Sequence, residues 1–499
     1  MEKISLKSRR NGIAIGGIRG SSGKTFVSIG IIKSLMRRGI SVAPFKKGPD
    51  YIDPAWLAIA AGNQCYNLDT FLMDEVTIIE NFQKMNLRAD FAIVEGNRGI
   101  FDDYDVAGTH SFSELIKLLN IPLILVLDCT KSSRTIAAVV HGCKTFDEDL
   151  PLKGVILNQL GGERHKKLVT DAIEKYCDIP VLGAIPRISS LIIIERHLGL
   201  MPISEHNDPK QLTNAIGDVI ENNVDIDAVI KISASHSNKK KEIFNDAINN
   251  IKNKFPNFIK KSKQIYHPIN NRIDDKINGN RIQPVIGIVK DAAFNFYYDD
   301  NIMELKRYGT KIIEINSIND KTIPEIDALY IGGGFPETHA EMISGNNTFR
   351  QELKNLIDDG LPVYAECGGL VYLSKSIIMD RNYPMVGIFP FDFEVSKKPV
   401  GHGYTIFVVD KKNPYYPQGS VVKGHEFRYS KIISNAAVKD TKTVFKMQRG
   451  KGIVKGRDGL IYRNTLATFS HTHAAGNNVL WLKSLVELAV ERNRGNEKA

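Results

Sequence analysis

Long hydrophobic runs are missing from this sequence. The longest, Ile121 to Leu127 (IPLILVL), falls well short of the roughly 20 residues a membrane-spanning helix needs, so no membrane span is expected. The basic N-terminus MEKISLKSRR leads straight into the apolar IAIGG, which reads as a first strand rather than a secretory signal. Cysteine is scarce: Cys65, Cys129, Cys143, Cys177 and Cys367 are too few and too scattered for a disulfide framework. None stands in a C-x-x-C pair, which argues against structural zinc. No repeat of fixed period is present, which excludes solenoids and propellers. A cytoplasmic protein with free thiols is the expectation.

The net charge of +10 raises the question of nucleic acid, and its position answers it. From Lys239 to Lys263, eight Lys against Glu242 and Asp246 carry +6 of that excess. A single polar segment holding most of the charge reads as a solvated linker. Neither nucleic acid nor membrane is expected as a partner.

A chain of 499 residues exceeds one ordinary core, so two large domains are expected. The segment 233–281, rich in Lys, Asn and Ser, divides them into 1–232 and 282–499. Ile243, Phe244, Ala247, Ile248 and Ile251 recur at helical spacing inside it, and Pro256 would end that helix. On either side, near-continuous apolar runs alternate with helical patterns. The strands expected are GIAIGG, SVAPFK, FAIVEG, LILVLD and GVILNQ, then PVIGIVKD, KIIEI, ALYIGGG and LPVYAE. Such runs mean parallel sheets covered on both faces, an α/β chain twice over.

Gly17 to Thr25 (GIRGSSGKT) follows the first strand and opens a helix. Small residues there let backbone N–H groups approach phosphates at a helix N-terminus. Lys24 would reach the β- and γ-phosphates of ATP, and Thr25 would ligate Mg²⁺. Ile18 stands where the strict motif has its first glycine, with Gly17 one residue earlier. The expected nucleotide contacts are Gly17, Ser22, Gly23, Lys24, Thr25 and Asn158. Carboxylates end later strands, where ligands bind in doubly wound sheets. Asp50, Glu95, Asp102 and Asp128 are the candidates, with Thr25, Asp50 and Glu95 as Mg²⁺ ligands.

The second half carries a sharper signal. The strand LPVYA runs into Glu366, Cys367, Gly368 and Gly369 and then a helical stretch, which is the spacing of a nucleophile elbow. A helix N-terminus lowers the thiol pKa. Gly332, Gly333 and Gly334 follow another strand, and Gly333, Gly334 and Gly368 are the expected oxyanion donors. ATFSHTHAAGN supplies His471 and His473, with His471 as the base that activates Cys367.

Together these stretches resemble the cobyrinic acid a,c-diamide synthase family. The shared segments are KKGPDYIDP (46–54), NLDTF (67–71), ERHLGL (195–200), KDAAFNFYYDDN (290–301), YIGGGFPETHAE (330–341), YAECGGLVYL (364–373) and GHEF (424–427). The resemblance spans nearly everything outside 233–281. It implies a dethiobiotin-synthetase-like P-loop domain with a doubly wound parallel sheet, followed by a class I glutamine amidotransferase domain. It also implies the reaction. ATP phosphorylates a tetrapyrrole carboxylate, Cys367 releases ammonia from glutamine, and ammonia displaces phosphate at the a and c side chains. Tyr51, Arg98, Asp102 and Arg196 are then the expected substrate contacts. In class I the helper His sits in H-P-E; by position His471 takes the helper role and His473 takes the Glu place, so the third member of the triad is open. A homodimer is an assembly this reading admits.

Two departures bear on the macrocycle. The common G-V-M-G-L-F-D-G reads Gly96, Asn97, Arg98, Gly99, Ile100, Phe101, Asp102, Asp103, a version resembling the methanogen branch that amidates Ni-sirohydrochlorin for coenzyme F430. Arg428 replaces the His of G-H-E-F-H-Y-S. Both add a cation, and the substrate is a polyanion; Ni-sirohydrochlorin therefore ranks ahead of cobyrinate. Cobyric acid synthase, which lacks the GPDYIDP stretch, ranks lower. So does a ParA/MinD-like regulatory ATPase, which has no amidotransferase domain.

Overall fold

Strands buried on both faces dictate the layout of the first half. The structure is a computed structural model. It describes residues 11–188, 202–239, 283–433, 442–476 and 479–496, with the short strands Glu195–Arg196, Gly199–Leu200, Lys276–Ile277 and Asn280–Arg281. The helix expected over 243–251 and the side chain of Arg196 lie outside the described residues. The chain divides into two compact units, Met1–Gln264 and Ile265–Ala499.

In the first unit, seven strands are laid down in chain order. They are β1 (Gly12–Gly17), β2 (Val42–Lys47), β3 (Tyr66–Leu68), β4 (Phe91–Gly99), β5 (Leu123–Asp128), β6 (Leu152–Leu160) and β7 (Val181–Pro186). Their order across the sheet is β3-β2-β4-β1-β5-β6-β7, and every pairing is parallel. From β1 the chain first builds one side and then, with β5, the other. The strand order therefore reverses at β1, and the crevice beyond its C-terminal end is where doubly wound sheets bind ligands. The β1–β4 ladder is irregular there: Ile15 pairs with Glu95, but Gly17 pairs with Gly99. Gly96, Asn97 and Arg98 stand opposite the single residue Gly16, two residues in excess, so the strand bulges there before β4 ends at Gly99.

The helix Ile226–Lys239 crosses the boundary expected at 232/233. Ser233 is buried and its hydroxyl accepts the Gly12 N–H at 2.6 Å, which ties this helix to the start of β1.

The second unit is built on a nine-stranded mixed sheet. Lys311–Ile315, Val285–Val289, Ala328–Ile331, Val363–Glu366 and Thr465–Thr468 pair in parallel. Arg457–Tyr462, Thr443–Arg449, Gly401–Val409 and Val421–Arg428 continue the sheet antiparallel. A smaller sheet joins Asn382–Pro384, Ser374–Ile378, Phe389–Val395 and Ser430–Ile432. The antiparallel half alternates buried and half-exposed residues, as in Gly401–Val409, whereas the parallel strands Ala328–Ile331 and Val363–Glu366 are buried throughout.

The helix after the glycine-rich loop, α1 (Lys24–Arg37), packs on the helix Pro209–Asn223. Gly30 makes this close approach: a Cβ there would collide with Ile220, itself fully buried. Alanine normally favours a helix over glycine by about 1 kcal/mol. Here overpacking should win, and Gly30→Ala should lower stability by about 1–3 kcal/mol, read from the denaturant midpoint of the full chain. A raised midpoint would show that the interface yields.

Candidate active sites

The loop between β1 and α1 is shaped by two residues with positive φ, Ser21 (54°) and Gly23 (91°). A Cβ on Gly23 would meet the amide of Asn158, and one on Gly17 would meet the Ser22 hydroxyl. The Asn158 amide donates to Ser22 O at 3.2 Å, so Asn158 braces the loop itself. Lys24 Nζ donates to Arg19 O at 2.9 Å, curling back over the loop. Burial, together with the neighbouring Lys46 ammonium, lowers the Lys24 pKa to about 8.

Beside the loop lies a buried charge cluster. Lys46 is 1% exposed at the end of β2, with Nζ 2.5 Å from Glu95 Oε1 and 2.5 Å from Asp53 Oδ2; Asp50 Oδ2 is 3.6 Å away. Thr25 Oγ1 donates to Glu95 Oε1 at 2.8 Å. Burial opposes the Lys46 charge, yet Asp53 and Glu95 hold its pKa well above the usual value. Asp50 spends Oδ1 on the N–H groups of Ile52 and Asp53, at 3.0 and 3.2 Å, and burial beside Asp53 pushes its carboxyl up to about 7. Tyr51 is the residue before the helix Ile52–Ala61, on the same turn. Asn67 pins that turn by donating to Gly48 O (2.8 Å) and Asp50 O (2.9 Å), which gives the NLDTF stretch a scaffolding job.

Glu95 Oε2 is buried and has no hydrogen-bond partner among the described residues. With the Thr25 hydroxyl and Asp50 Oδ2, it makes a hard oxygen set suited to Mg²⁺. Among the described residues no three His, Cys, Asp or Glu side chains form a ready metal cage. Magnesium sites fit that pattern, because one or two carboxylates and the phosphates themselves complete the shell.

The other strand-end residues divide. Asp102 is exposed and accepts the Gly99 N–H at 2.9 Å, ordering the bulge. Asn97 packs on the turn: a Cβ on Gly48 would lie 2.6 Å from its amide nitrogen. Arg98 beside it is exposed. Asp128 pairs with Arg19 at 2.8 Å and accepts the Thr130 N–H, so it serves the loop rather than the Lys46 cluster.

In the second unit, Cys367 turns between Val363–Glu366 and the short helix Gly368–Tyr372 with φ 50°, a left-handed conformation that costs a side-chain-bearing residue energy. Its N–H is held by Thr468 O at 2.7 Å. Gly369 permits the turn, since a Cβ there would stand 2.6 Å from Ile331 O. His471 Nδ1 lies 3.5 Å from Glu366 Oε2, and its ring packs against Gly333. Burial opposes protonation of His471, but the Cys367 thiolate and Glu366 raise its pKa to about 10. His425, from GHEF, stacks on His471 with centroids 4.9 Å apart at 18°, and the two exchange main-chain hydrogen bonds of 3.0 and 2.8 Å. Burial and His471 push His425 well below the ordinary imidazole range, so it is neutral there.

Two expectations need correction. The Gly333 N–H is spent on Phe296 O at 3.3 Å, so Gly333 is no oxyanion donor. Gly334 nitrogen and Gly368 lie together at the Cys367 pocket, which Glu337 and Arg428 also line. Arg428, in turn, does not present a cation to a polyanion. It is 5% exposed, donates to Ser430 O and Gly452 O, and lies 3.9 Å over the Phe469 ring.

Residues 13–200 match the CobQ/CobB/MinD/ParA nucleotide binding domain, and residues 285–479 match the CobB/CobQ-like glutamine amidotransferase domain. A cobyrinate a,c-diamide synthase of Archaeoglobus fulgidus is 36% identical, covering 92% of this chain and 94% of its own. The chain belongs to the cobyrinate a,c-diamide synthase family. Relatives of the same name from Picrophilus torridus (38% identical, 94% and 96% covered) and Magnetococcus marinus (34%, 93% and 94%) agree. As a family member the protein is a carbon–nitrogen ligase with glutamine as nitrogen donor.

Sequence reasoning missed Lys46 and Glu366, though both stand inside family segments. The signal for Lys46 was a lysine ending an apolar strand with Asp four and seven residues on.

With Lys24 as a phosphate partner, nucleotide binding should depend on pH. The free enzyme loses the Lys24 proton above about pH 8, whereas a bound polyphosphate would keep it. Binding should then take up a proton, and ATP affinity should fall about tenfold per pH unit above that point. Calorimetry in two buffers of different ionisation enthalpy measures both. A flat affinity from about pH 7 to 9.5 would rule Lys24 out as a phosphate partner.

Proposed function

We propose that this protein uses ATP and glutamine to convert the a and c carboxylates of a tetrapyrrole into carboxamides through an acyl phosphate. The observation that carries this reading is the pairing, in one chain, of two sites. One is a phosphate loop beside the Lys46–Glu95–Asp53 cluster; the other is a strained Cys367 elbow with His471 against it.

A carboxylate is a poor acyl donor, which is why a phosphate loop accompanies amide chemistry. Loop N–H groups and Lys24 hold the phosphates, and Lys46 neutralises carboxylates that would repel them. Thr25, Glu95 and Asp50 would hold Mg²⁺, which when bound offsets charge on the β- and γ-phosphates. A substrate carboxylate oxygen attacks the γ-phosphorus and ADP leaves. Arg98, exposed on the β4 bulge beside Asn97, is the residue for orienting that carboxylate, with Tyr51 and Arg196 as further contacts.

Ammonia comes from the second unit. Cys367 Sγ gives its proton to His471 and attacks the glutamine side-chain carbonyl, with Gly334 and Gly368 N–H groups receiving the oxyanion. The proton returns to the departing ammonia, and water releases glutamate from the thioester. Ammonia then attacks the acyl phosphate and phosphate leaves. Two rounds give the diamide.

The names of the relatives favour cobyrinate as the macrocycle. Ni-sirohydrochlorin is favoured by the Asn97–Arg98 bulge alone, now that Arg428 is spent within its own unit. Mass spectrometry of products from each macrocycle with ATP, Mg²⁺ and glutamine decides between them; no mass change with either would end the tetrapyrrole reading. Cys367→Ser should abolish glutamine-driven synthesis and retain synthesis from ammonium salts. Loss of both in a folded variant would count against separate sites.

A further inference from the structure

Among the described residues, a carboxylate that does not come from the H-P-E position faces the imidazole of His471. Val363–Glu366 pairs in parallel with Thr465–Thr468, in a register that sets Glu366 opposite Thr468. Three residues past Thr468 the chain reaches His471, and Glu366 Oε2 lies 3.5 Å from its Nδ1. Glu366 is 1% exposed and held at both oxygens. Tyr330 Oη donates to Oε2 at 2.9 Å, and Oε1 accepts Thr472 N–H at 3.1 Å and Thr472 Oγ1 at 3.4 Å. The Trp481 indole N–H fixes Thr472 Oγ1 at 2.8 Å.

His473, which stands in the Glu place by position, is engaged elsewhere. Its Nδ1 accepts the Ala475 N–H at 3.1 Å, so the ring proton is on Nε2, which lies 3.2 Å from Asp300 Oδ2. We propose that Glu366 is the positioning carboxylate of the Cys367–His471 pair, supplied by the strand before the nucleophile instead of the segment after the helper histidine.

The inference rests on Cys367 being the glutaminase nucleophile. A carboxylate at Nδ1 fixes the proton there and turns Nε2 toward the thiol. The Sγ proton then passes to Nε2, and Glu366 takes none; it stabilises the imidazolium. At 3.5 Å the contact is longer than a formed hydrogen bond, as such contacts often are before substrate binds. Other charged and titratable groups surround the pair: His425 stacked on the ring, Arg428 and Glu337 at the pocket, and Tyr330 on Glu366. Of these, Tyr330 alone bonds the proposed carboxylate oxygen, which makes it a lever on the same group.

Iodoacetamide alkylation of Cys367 in the full chain, followed by peptide mass mapping across pH, reads thiolate directly, and the mapping separates Cys367 from the other four cysteines, which are buried as it is. Glu366→Gln should move the inflection upward and slow alkylation at pH 6 by about tenfold or more. Glutaminase kcat should fall by about 10²- to 10⁴-fold with glutamine KM little changed. Synthesis from ammonium salts should persist. Tyr330→Phe, which strips a hydrogen bond from Oε2 and leaves the carboxylate more basic, should move the inflection the opposite way. An unshifted curve in Glu366→Gln, shifts of the same sign in both variants, or a shift produced by His473→Gln instead would overturn the assignment. Undiminished glutamine-driven synthesis in Cys367→Ser would overturn the underlying reading and is told apart by that variant alone.

Discussion

The ammonium of Lys46 is the constraint on which the first site depends. Glu95 is the last residue of β4 before its bulge, Asp53 opens a helix, and Thr25 opens another; all three converge within a few ångströms of one buried nitrogen. Without that cation, the buried Glu95 and the half-buried Asp53 would face each other with Asp50 close behind. Removing one member of such a buried cluster typically costs about 3–5 kcal/mol, because the remaining charges stay desolvated. The net gain over an apolar core is far smaller, so the cluster is poorly explained as a stability device. It makes sense as a way to keep anionic oxygens beside a phosphate loop without letting them repel phosphate. The uneven titration within it fits this view. Asp53 is held below the usual carboxylate range by Lys46 against its own burial, while Asp50 is raised to about 7.

The second site handles the same problem with different chemistry. Its groups are Cys367, the imidazole of His471, whose pKa is raised to about 10, and Glu366, whose Oε2 lies 3.5 Å from the imidazole Nδ1. In both units the reactive groups stand at the C-terminal ends of parallel strands, where one strand's last residues meet a helix N-terminus. Parallel strands buried on both faces carry polar side chains mainly toward these ends: Lys46 and Glu366 are terminal or next to it in their strands, and Glu95 is the last residue of β4 before its bulge.

This is also why so much was legible in the sequence. A glycine-rich loop after an apolar run, or Ala-Glu-Cys-Gly-Gly after another, is a local pattern, and local patterns survive without coordinates. The strands GIAIGG, LILVLD and KIIEI match the observed Gly12–Gly17, Leu123–Asp128 and Lys311–Ile315. The antiparallel half of the second sheet was not read, because several of its half-exposed positions are themselves apolar, as at Ile406, Val408 and Met447, so burial alternates there where hydropathy does not. What the sequence could not give is which polar group faces which. Gly333 looked like an oxyanion donor until its N–H was seen to bond Phe296 O, an assignment that depends on a loop 37 residues away. Arg428 looked like a cation for a polyanionic substrate until its guanidinium was seen stacked on Phe469.

The correction of Arg428 narrows the question of substrate. Two added cations were expected to meet a polyanionic macrocycle, and one is committed to main-chain carbonyls of its own unit. The bulge at the end of β4 therefore carries the whole difference. There the two residues do unlike things: Asn97 packs against the glycine turn of KKGPD, where φ of Gly48 is +88°, and Arg98 projects to solvent. Asn97 can alter the site only by shifting the turn that carries Asp50 and Tyr51. Arg98 can act on a ligand directly. Selection between macrocycles, if this loop exerts it, must then come from the guanidinium holding a carboxylate by paired hydrogen bonds, since a neutral, half-buried amide packed on a turn offers no charge to tell one polyanion from another.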